Sequence, residues 1–558
     1  MRLEALRVGL LVLGGLLLSL SAGSCGKVNE SRPLFDSNTN WLVPCVADDQ
    51  CSGSLRCYCG QCTKPCAQDL ECSLLSNAQC AESSEALCGE NASAGGLCVR
   101  GCQGDGECGN DFSCVAAQCV PKPCSAGECT ARSCGSRLSR SWDQIYRQAN
   151  DDINSLDADD LSFQRYFALG DESELSDPGT GVCEASLERK RQALSKLINS
   201  LSLDPSIAQP LPVDADRSLF RIDLRDYEWD RPVRVGNQDY PDVWEALVAS
   251  DPYAMAFVGD DADDLTTDTV TSVPVLLVDS FLATGTRTEL YYSILQLPER
   301  QEELTNELGI TADDTAFHAG FIDDVEFLAR RWDLGVRVGY LWSISDYGRP
   351  PGALFEDPLQ EPLGESELIF ALPNGLPAFA FVSADGQLQE SWSVTRDPRE
   401  SDRVARAPLS NWRRHAGALA IRDQVRSYVA SKEGSYEGSL STIEQRFPGA
   451  TELSLVLEQD ADALTRRALQ MAGLELFGPD PIARVHEDFE SPVTAETAAA
   501  LLLVTSGDLL RSLDLLDPAL RPLDGGTISR SVFTAHYASS ACILDSVLEN
   551  QPNRDYCP

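Results

Sequence analysis

Cys59 and Cys62 form the single Cys-x-x-Cys of the chain, a spacing that a zinc ion or a redox dithiol would use. A zinc site needs a second such pair or a nearby histidine, and no histidine precedes His318. The two thiols belong instead to a set of seventeen between Cys45 and Cys134, out of 21 in all. In an oxidising compartment a set that dense is a disulfide framework. The densest carboxylate run is Asp260, Asp261, Asp263 and Asp264. Its oxygens have the chemistry of a weak Ca²⁺ site, set against the simpler reading of a solvated loop, because like charges in sequence repel. The four histidines, His318, His415, His486 and His536, are not spaced for a metal. Gly-x-Ser-x-Gly, His-Glu-x-x-His, a phosphate loop and a dinucleotide fingerprint are all absent from the sequence. We therefore expect no catalytic residues and no enzyme activity.

The N-terminus supplies the compartment. Arg2 and Arg7 are followed by an apolar run from Val8 to Leu20, too short to span a bilayer, and then by Ser21, Ala22, Gly23, Ser24 and Cys25. This arrangement resembles a secretory signal ending in a bacterial lipobox, except that Ala22 stands where such motifs usually carry Leu. The resemblance implies cleavage after residue 24, acylation of Cys25, and a polar tether over 25–41. Plain secretion is the alternative. Without Cys25 the thiols number 20, an even count that suits a disulfide-bonded secreted protein. The expected location is the cell envelope, at the outer membrane, with the lipid as the membrane contact. The formal charge is −41, which repels nucleic acid and anionic surfaces.

A cysteine-rich module is expected over 42–135. Cys45-x5-Cys51-x5-Cys57-x-Cys59-x2-Cys62-x3-Cys66 is nearly repeated by Cys102-x5-Cys108-x5-Cys114-x4-Cys119-x4-Cys124. Cys72, Cys80, Cys88 and Cys98 form a looser unit between them, and Cys129 and Cys134 close the set. The intervening residues are small, polar or acidic, so disulfides must replace a core. The spacing resembles Dickkopf-N-type modules. Seventeen is odd, so full oxidation requires at least one bond from the module to Cys183, Cys542 or Cys557.

The remainder reads as α+β. The spacing predicts helices over Trp142–Leu156 and Leu187–Leu201, the latter with Leu187, Leu194, Leu197, Ile198 and Leu201 on one face. Alternation predicts a strand from Phe220 to Arg225. A helix is expected over Val243–Ala249, a buried strand over Val275–Val278, a helix over Glu289–Gln296 and a strand over Gly339–Ile344. Asn374-Gly375 between Leu368–Leu372 and Ala378–Val382 signals a hairpin, with Pro373 and Pro377 loosening its ladder. Helices follow over Ala416–Ala430, Leu455–Met471, Ala495–Val504 and Asp508–Leu515. The expected domains are an α+β part, 136–400, and a mainly helical part, 401–558.

Several segments resemble a family of large bacterial c-type cytochrome-like proteins. They include Gln164–Phe167, Ala193–Leu201, Phe220–Tyr227 with Trp229, Trp244, Asp251-Pro252-Tyr253, Asp279–Thr284, Leu295–Pro298, Glu367–Leu376 and Asp397-Pro398. In that family a Cys-x-x-Cys-His follows the Asp-Pro and carries covalent haem through two thioethers and an axial histidine. Here Asn411 and Arg414 occupy the cysteine positions, and only His415 remains. The resemblance therefore implies the fold, with a cytochrome c-like helical region, but no covalent haem and no cofactor. The expected function is a non-enzymatic binding or scaffold lipoprotein with an envelope or surface protein as partner. Two alternatives stay open. One is an electron-transfer protein with non-covalent haem, for which His318, His486, His536, Met255 and Met471 are the candidate second ligands. The other is a calcium-dependent adhesion or matrix protein.

Overall fold

The computed structural model describes residues 142–169, 182–254, 275–311, 316–323, 325–335, 339–397, 399–400, 402–415, 419, 421–470, 480–502 and 504–548, together with short strands within 56–121. Outside them lie the signal, the tether with Cys25, Met255, Met471, Asp260, Asp261, Asp263, Asp264, and Cys45, Cys51, Cys59, Cys72, Cys88, Cys102, Cys108, Cys124, Cys129, Cys134 and Cys557.

Three antiparallel hairpins recur in the cysteine-rich segment. Arg56–Tyr58 pairs with Gln61–Thr63, Ala78–Glu82 with Gly96–Arg100, and Phe112–Val115 with Gln118–Pro121. Each places two cysteines opposite one another in register: Cys57 and Cys62, Cys80 and Cys98, Cys114 and Cys119. The near-repeat in spacing is thus a repeated hairpin. Cys66 and Cys542 are both disulfide-bonded, so oxidised cysteines occur in this segment and in the last described helix.

A small sheet divides the larger part of the molecule into two cores. Helix α1 (Trp142–Ile153) buries Ile145, Ala149 and Ile153 at four-residue spacing. It is locked to the sheet by Asp152, which accepts hydrogen bonds from Tyr166 Oη and Arg221 Nη1, each at 2.7 Å. The strands are β1 (Gln164–Ala168), β2 (Leu211–Pro212), β3 (Leu219–Asp223) and β4 (Val275–Leu277), in the order β4-β1-β3-β2, with β4 parallel to β1. Side chains alternate across it. Phe167, Phe220 and Leu276 enter one core, and Tyr166, Ala168, Leu219, Val275 and Leu277 the other. The first core also receives α2 (Val182–Ser200) and α3 (Val278–Gly285). All five expected apolar residues of the Leu187–Leu201 stripe are buried. The two helices meet at Gly285, where a Cβ would stand 3.1 Å from Leu197 Cδ2.

A six-stranded antiparallel meander forms the second sheet: β5 (Phe317–Ile322), β6 (Glu326–Asp333), β7 (Tyr340–Asp346), β8 (Ser366–Ala371), β9 (Pro377–Val382) and β10 (Leu388–Gln389), neighbours in sequence and in space. The expected hairpin joins β8 to β9, with Gly375 at φ 82° and Asn374 Oδ1 accepting from Leu376 N at 3.0 Å. Asn374 Nδ2 donates to Asn199 O at 2.8 Å and so ties the turn to α2. Both strands are buried throughout. Two backbone N–H groups of β9, those of Phe379 and Phe381, donate to Tyr291 Oη and Tyr292 Oη at 3.2 and 2.9 Å.

The hairpin β11 (Ser391–Arg396) and β12 (Val404–Arg406) leads into the short helix α4 (Leu409–Arg414). Helix α5 (Ala450–Gln470) is fastened to the sheet by Asp460, which accepts from Arg331 Nε and Nη2 at 3.0 and 2.8 Å and from Trp342 Nε1 at 2.9 Å. Helix α6 (Pro481–Glu490) is capped by Asp480, whose carboxylate also pairs with the buried ammonium of Lys196. Helix α7 (Arg530–Val547) adds Phe533, Tyr537, Ala541 and Leu544 to the second core. Both cores draw residues from either side of position 400. Among the described residues no helix is long and apolar enough to cross a membrane.

The class is mixed α+β, as expected. Two segments differ from expectation. The Phe220–Arg225 strand ends at Asp223, because that carboxylate accepts from Arg225 N at 3.0 Å and turns Leu224–Tyr227 into a 3-10 helix. In place of one helix over Ala416–Ala430, the described helix is Val425–Ser431. Residues 421–424 precede it as a strap across β5, with Gln424 N on Gly320 O at 2.7 Å and Asp423 Oδ1 accepting from Gly320 N at 2.8 Å. The strap packs so closely that a Cβ at Gly320 would collide with Val425.

Candidate functional site

The three positions singled out in sequence, 411, 414 and 415, meet at one carboxylate. Glu367 sits on β8 and is 1% exposed. Its Oε1 accepts from Asn411 Nδ2 and, at 2.6 Å, from Arg414 Nη2, and it lies 3.0 Å from His415 Nε2. The local fold explains the convergence. Asn411, Arg414 and His415 are three and four residues apart, so α4 brings them to one side. The aromatics of β9 and β11 wall the site. The His415 ring is parallel to Phe379 at 6.1 Å between centroids, and the Arg414 guanidinium lies over Trp392 and Phe381 at 5.3 and 5.8 Å.

Burial alone would push the Glu367 carboxyl upward; Arg414, then His415 and Asn411, outweigh it and hold the pKa at about 2. The group is an ionised acceptor at any physiological pH. Its most engaged oxygen faces three protein partners, which suits it to clamping α4 against the sheet and not to proton transfer or nucleophilic attack. A second carboxylate serves the same helix. Asp397 accepts from Ser410 Oγ at 2.6 Å and Arg413 Nη1 at 2.8 Å, and Arg413 also reaches Glu400 at 2.6 Å. Burial opposes the charge on Asp397, and Arg413 and Ser410 more than offset it, so that pKa is also lowered.

These contacts do not fit a haem. Asn411 and Arg414 cannot form thioethers, and His415 Nε2, the atom that would bind iron, faces Glu367. The other histidines lie elsewhere. His318, on β5, packs edge-on against Phe447 at 5.3 Å; His536 is 3.5 Å from Asp517. Burial, with Arg330 and Arg446 nearby, lowers the pKa of His318 to about 3. No group of three or more His, Cys, Asp or Glu suited to a metal occurs among the described residues.

His486, on α6, lines a cavity of about 220 Å³ with Tyr253, Thr284, Arg287, Phe489 and Arg530. Burial, reinforced by Arg413 and Arg287, lowers its pKa to about 3, so the imidazole is neutral at pH 7. His486 Nδ1, Thr284 Oγ1 and Arg530 Nη1 are buried without a hydrogen-bond partner among the described residues. In the sequence His486 stands out only as a candidate iron ligand and Thr284 only as the end of the Asp279–Thr284 segment, while Arg530 and Arg287 carry no signal. Arg530 lies 246 positions from Thr284 in the chain, and no local spacing links them. Glu367 was legible only as part of a resemblance, since its partner Asn411 is 44 residues away. In comparisons with known proteins, no family model, no curated protein and no solved structure matches the chain.

Proposed function

We propose that the chain is a lipid-anchored envelope or surface protein that works by binding, built on a cytochrome-like frame without covalent haem. The Cys25 lipid holds it at the outer membrane, and the disulfide-rich, Dickkopf-like segment gives it an extracytoplasmic module. A protein of the envelope is its partner. The observation that carries the reading is the convergence of Asn411, Arg414 and His415 on Glu367. Residues at the family's haem-attachment positions are committed there to a buried structural carboxylate.

The test is an absorbance spectrum of the full chain purified from haem-replete cells able to attach haem to cytochromes. The reading expects no Soret band. A Soret band that disappears in His415→Ala would replace it with electron transfer through bound haem. Labelled palmitate should enter the wild type and not Cys25→Ala; a wild type that takes up no label removes the anchor.

A further inference from the structure

We infer that the cavity between α3, α6 and α7 is a binding site for a small organic carboxylate, held by Arg530 with Thr284 and His486. The inference goes beyond the binding reading above and does not depend on it.

The argument starts from Arg530. The residue is 6% exposed, and its Nε donates to Phe489 O at 2.7 Å while its guanidinium lies 4.1 Å from the centre of the Phe489 ring. These two contacts, with the Tyr253 hydroxyl beside the guanidinium, fix the orientation of the head group, and Nη1 keeps no hydrogen-bond partner among the described residues. A buried cation with an unused N–H is costly unless an acceptor arrives. Nη1 is not the only such atom. Thr284, 1% exposed, also lines the cavity with an unpartnered Oγ1, and His486 does so with an unpartnered Nδ1 on a neutral ring. Three residues that line one cavity thus each carry a buried polar atom without a hydrogen-bond partner among the described residues, a set that a ligand would complete.

Charge selects an anion. Two arginines line the cavity, Arg287 and Arg530. The one acidic residue among the lining residues is the exposed Glu490, which interacts with both arginines at longer range and offsets only one of their two charges. Shape and walls select an organic acid over an inorganic oxyanion. Tyr253 and Phe489 meet edge-to-face at 5.7 Å and, with Pro252, give the cavity an apolar side opposed to its polar atoms. A volume of about 220 Å³ suits a ligand with a single ring or a short chain, since an apolar protein cavity of about 150 Å³ accepts benzene.

The experiment is calorimetric titration of the full-length protein with sodium benzoate, benzamide and inorganic phosphate. Saturable benzoate binding is expected, with benzamide about tenfold weaker or worse, because the charge-assisted hydrogen bond is lost. Arg530→Gln should weaken benzoate by about tenfold or more, and Thr284→Val by a smaller factor. If Arg530→Gln does not fold, Arg287→Gln, whose guanidinium is exposed, must weaken benzoate instead. Four results would overturn the inference: no saturable benzoate binding, equal binding of benzoate and benzamide, undiminished binding in the folded variants, or phosphate binding as tightly as benzoate. A Soret band would end the haem-free reading without touching this titration, and a failed titration leaves the anchor and the Glu367 cluster standing.

Discussion

Helix α6 touches two buried polar regions, each with some unpartnered polar atoms, that differ in how their charges are met. On one side it packs on α4, where Glu367 and Asp397 are surrounded by donors. On the other it lines the cavity, where Arg530, Thr284 and His486 hold polar atoms without partners. Both regions contain an arginine less than a tenth exposed, Arg413 in the first and Arg530 in the second. In the first the cation has carboxylate partners at 2.6 and 2.8 Å; in the second Glu490 acts on Arg530 from further away, with no ion pair between them among the described residues. A protein gains rigidity from the first arrangement and a site from the second. The haem-attachment positions that the resemblance marked fall in the closed region, and the arginines of the open region lie where no motif pointed.

The contrast can be broken by removing one cation from the closed side. Arg414→Met leaves Glu367 buried and under-compensated, and should destabilise the protein by about 3–5 kcal/mol in chemical denaturation. A loss below about 1 kcal/mol would mean that water, and not Arg414, solvates the carboxylate.

Titration should separate the two sides by sign. Glu367 has its pKa held down to about 2, so its stabilisation is complete above the ordinary carboxylate value and is lost as pH falls through about 2. Asp251, next to the cavity, behaves oppositely. Burial raises its pKa to about 6, more than the hydrogen bonds from Tyr253 N and Ser280 Oγ lower it. The folded state is therefore penalised above about 6 and relieved as pH falls toward the ordinary value. Each contribution is on the order of 3 kcal/mol. The buried neutral histidines His318 and His486, with pKa lowered to about 3, cost stability as pH falls below the ordinary imidazole value, so the Asp251 effect is read as a difference between two proteins. In urea denaturation the wild type should gain stability relative to Asp251→Asn as pH falls through about 6, and the loss at lower pH should be common to both.

The smallest expected effect sharpens the comparison at single hydroxyls. Ser410 Oγ donates to Asp397 and accepts from Arg406 N at 2.9 Å, so Ser410→Ala should cost about 1–2 kcal/mol. Thr284 Oγ1 has no such partner, so Thr284→Val should stay within about 0.5 kcal/mol of the wild type in the absence of ligand. Equal losses would erase the distinction between closed and open regions.

Local pattern made part of this legible. The Leu187–Leu201 stripe, the Asn374-Gly375 turn and the short Val275 strand each follow from spacing or turn chemistry within one element. Where both faces of an element are covered, pattern carries less. Ala483, Val485 and Phe489 of α6 are buried beside His486 and Glu487, in a ten-residue helix whose charged residues bond sideways to Arg399 and Lys196's partner Asp480 caps its start. The strap at Asp423 replaced an expected helix because its carboxylate bonds a strand about a hundred residues earlier. Both regions compared above depend on such distant partners, which is why residue types were visible in sequence and their pairing was not.

The central claim is that positions 411, 414 and 415 act as a clamp on Glu367, and a double-mutant cycle between Glu367→Leu and Arg414→Met tests it most directly. The account predicts a coupling of about 2–3 kcal/mol, with the double variant more stable than the sum of the single losses implies. Losses that add to within about 0.5 kcal/mol would contradict it, since two residues that do not act on each other show no coupling.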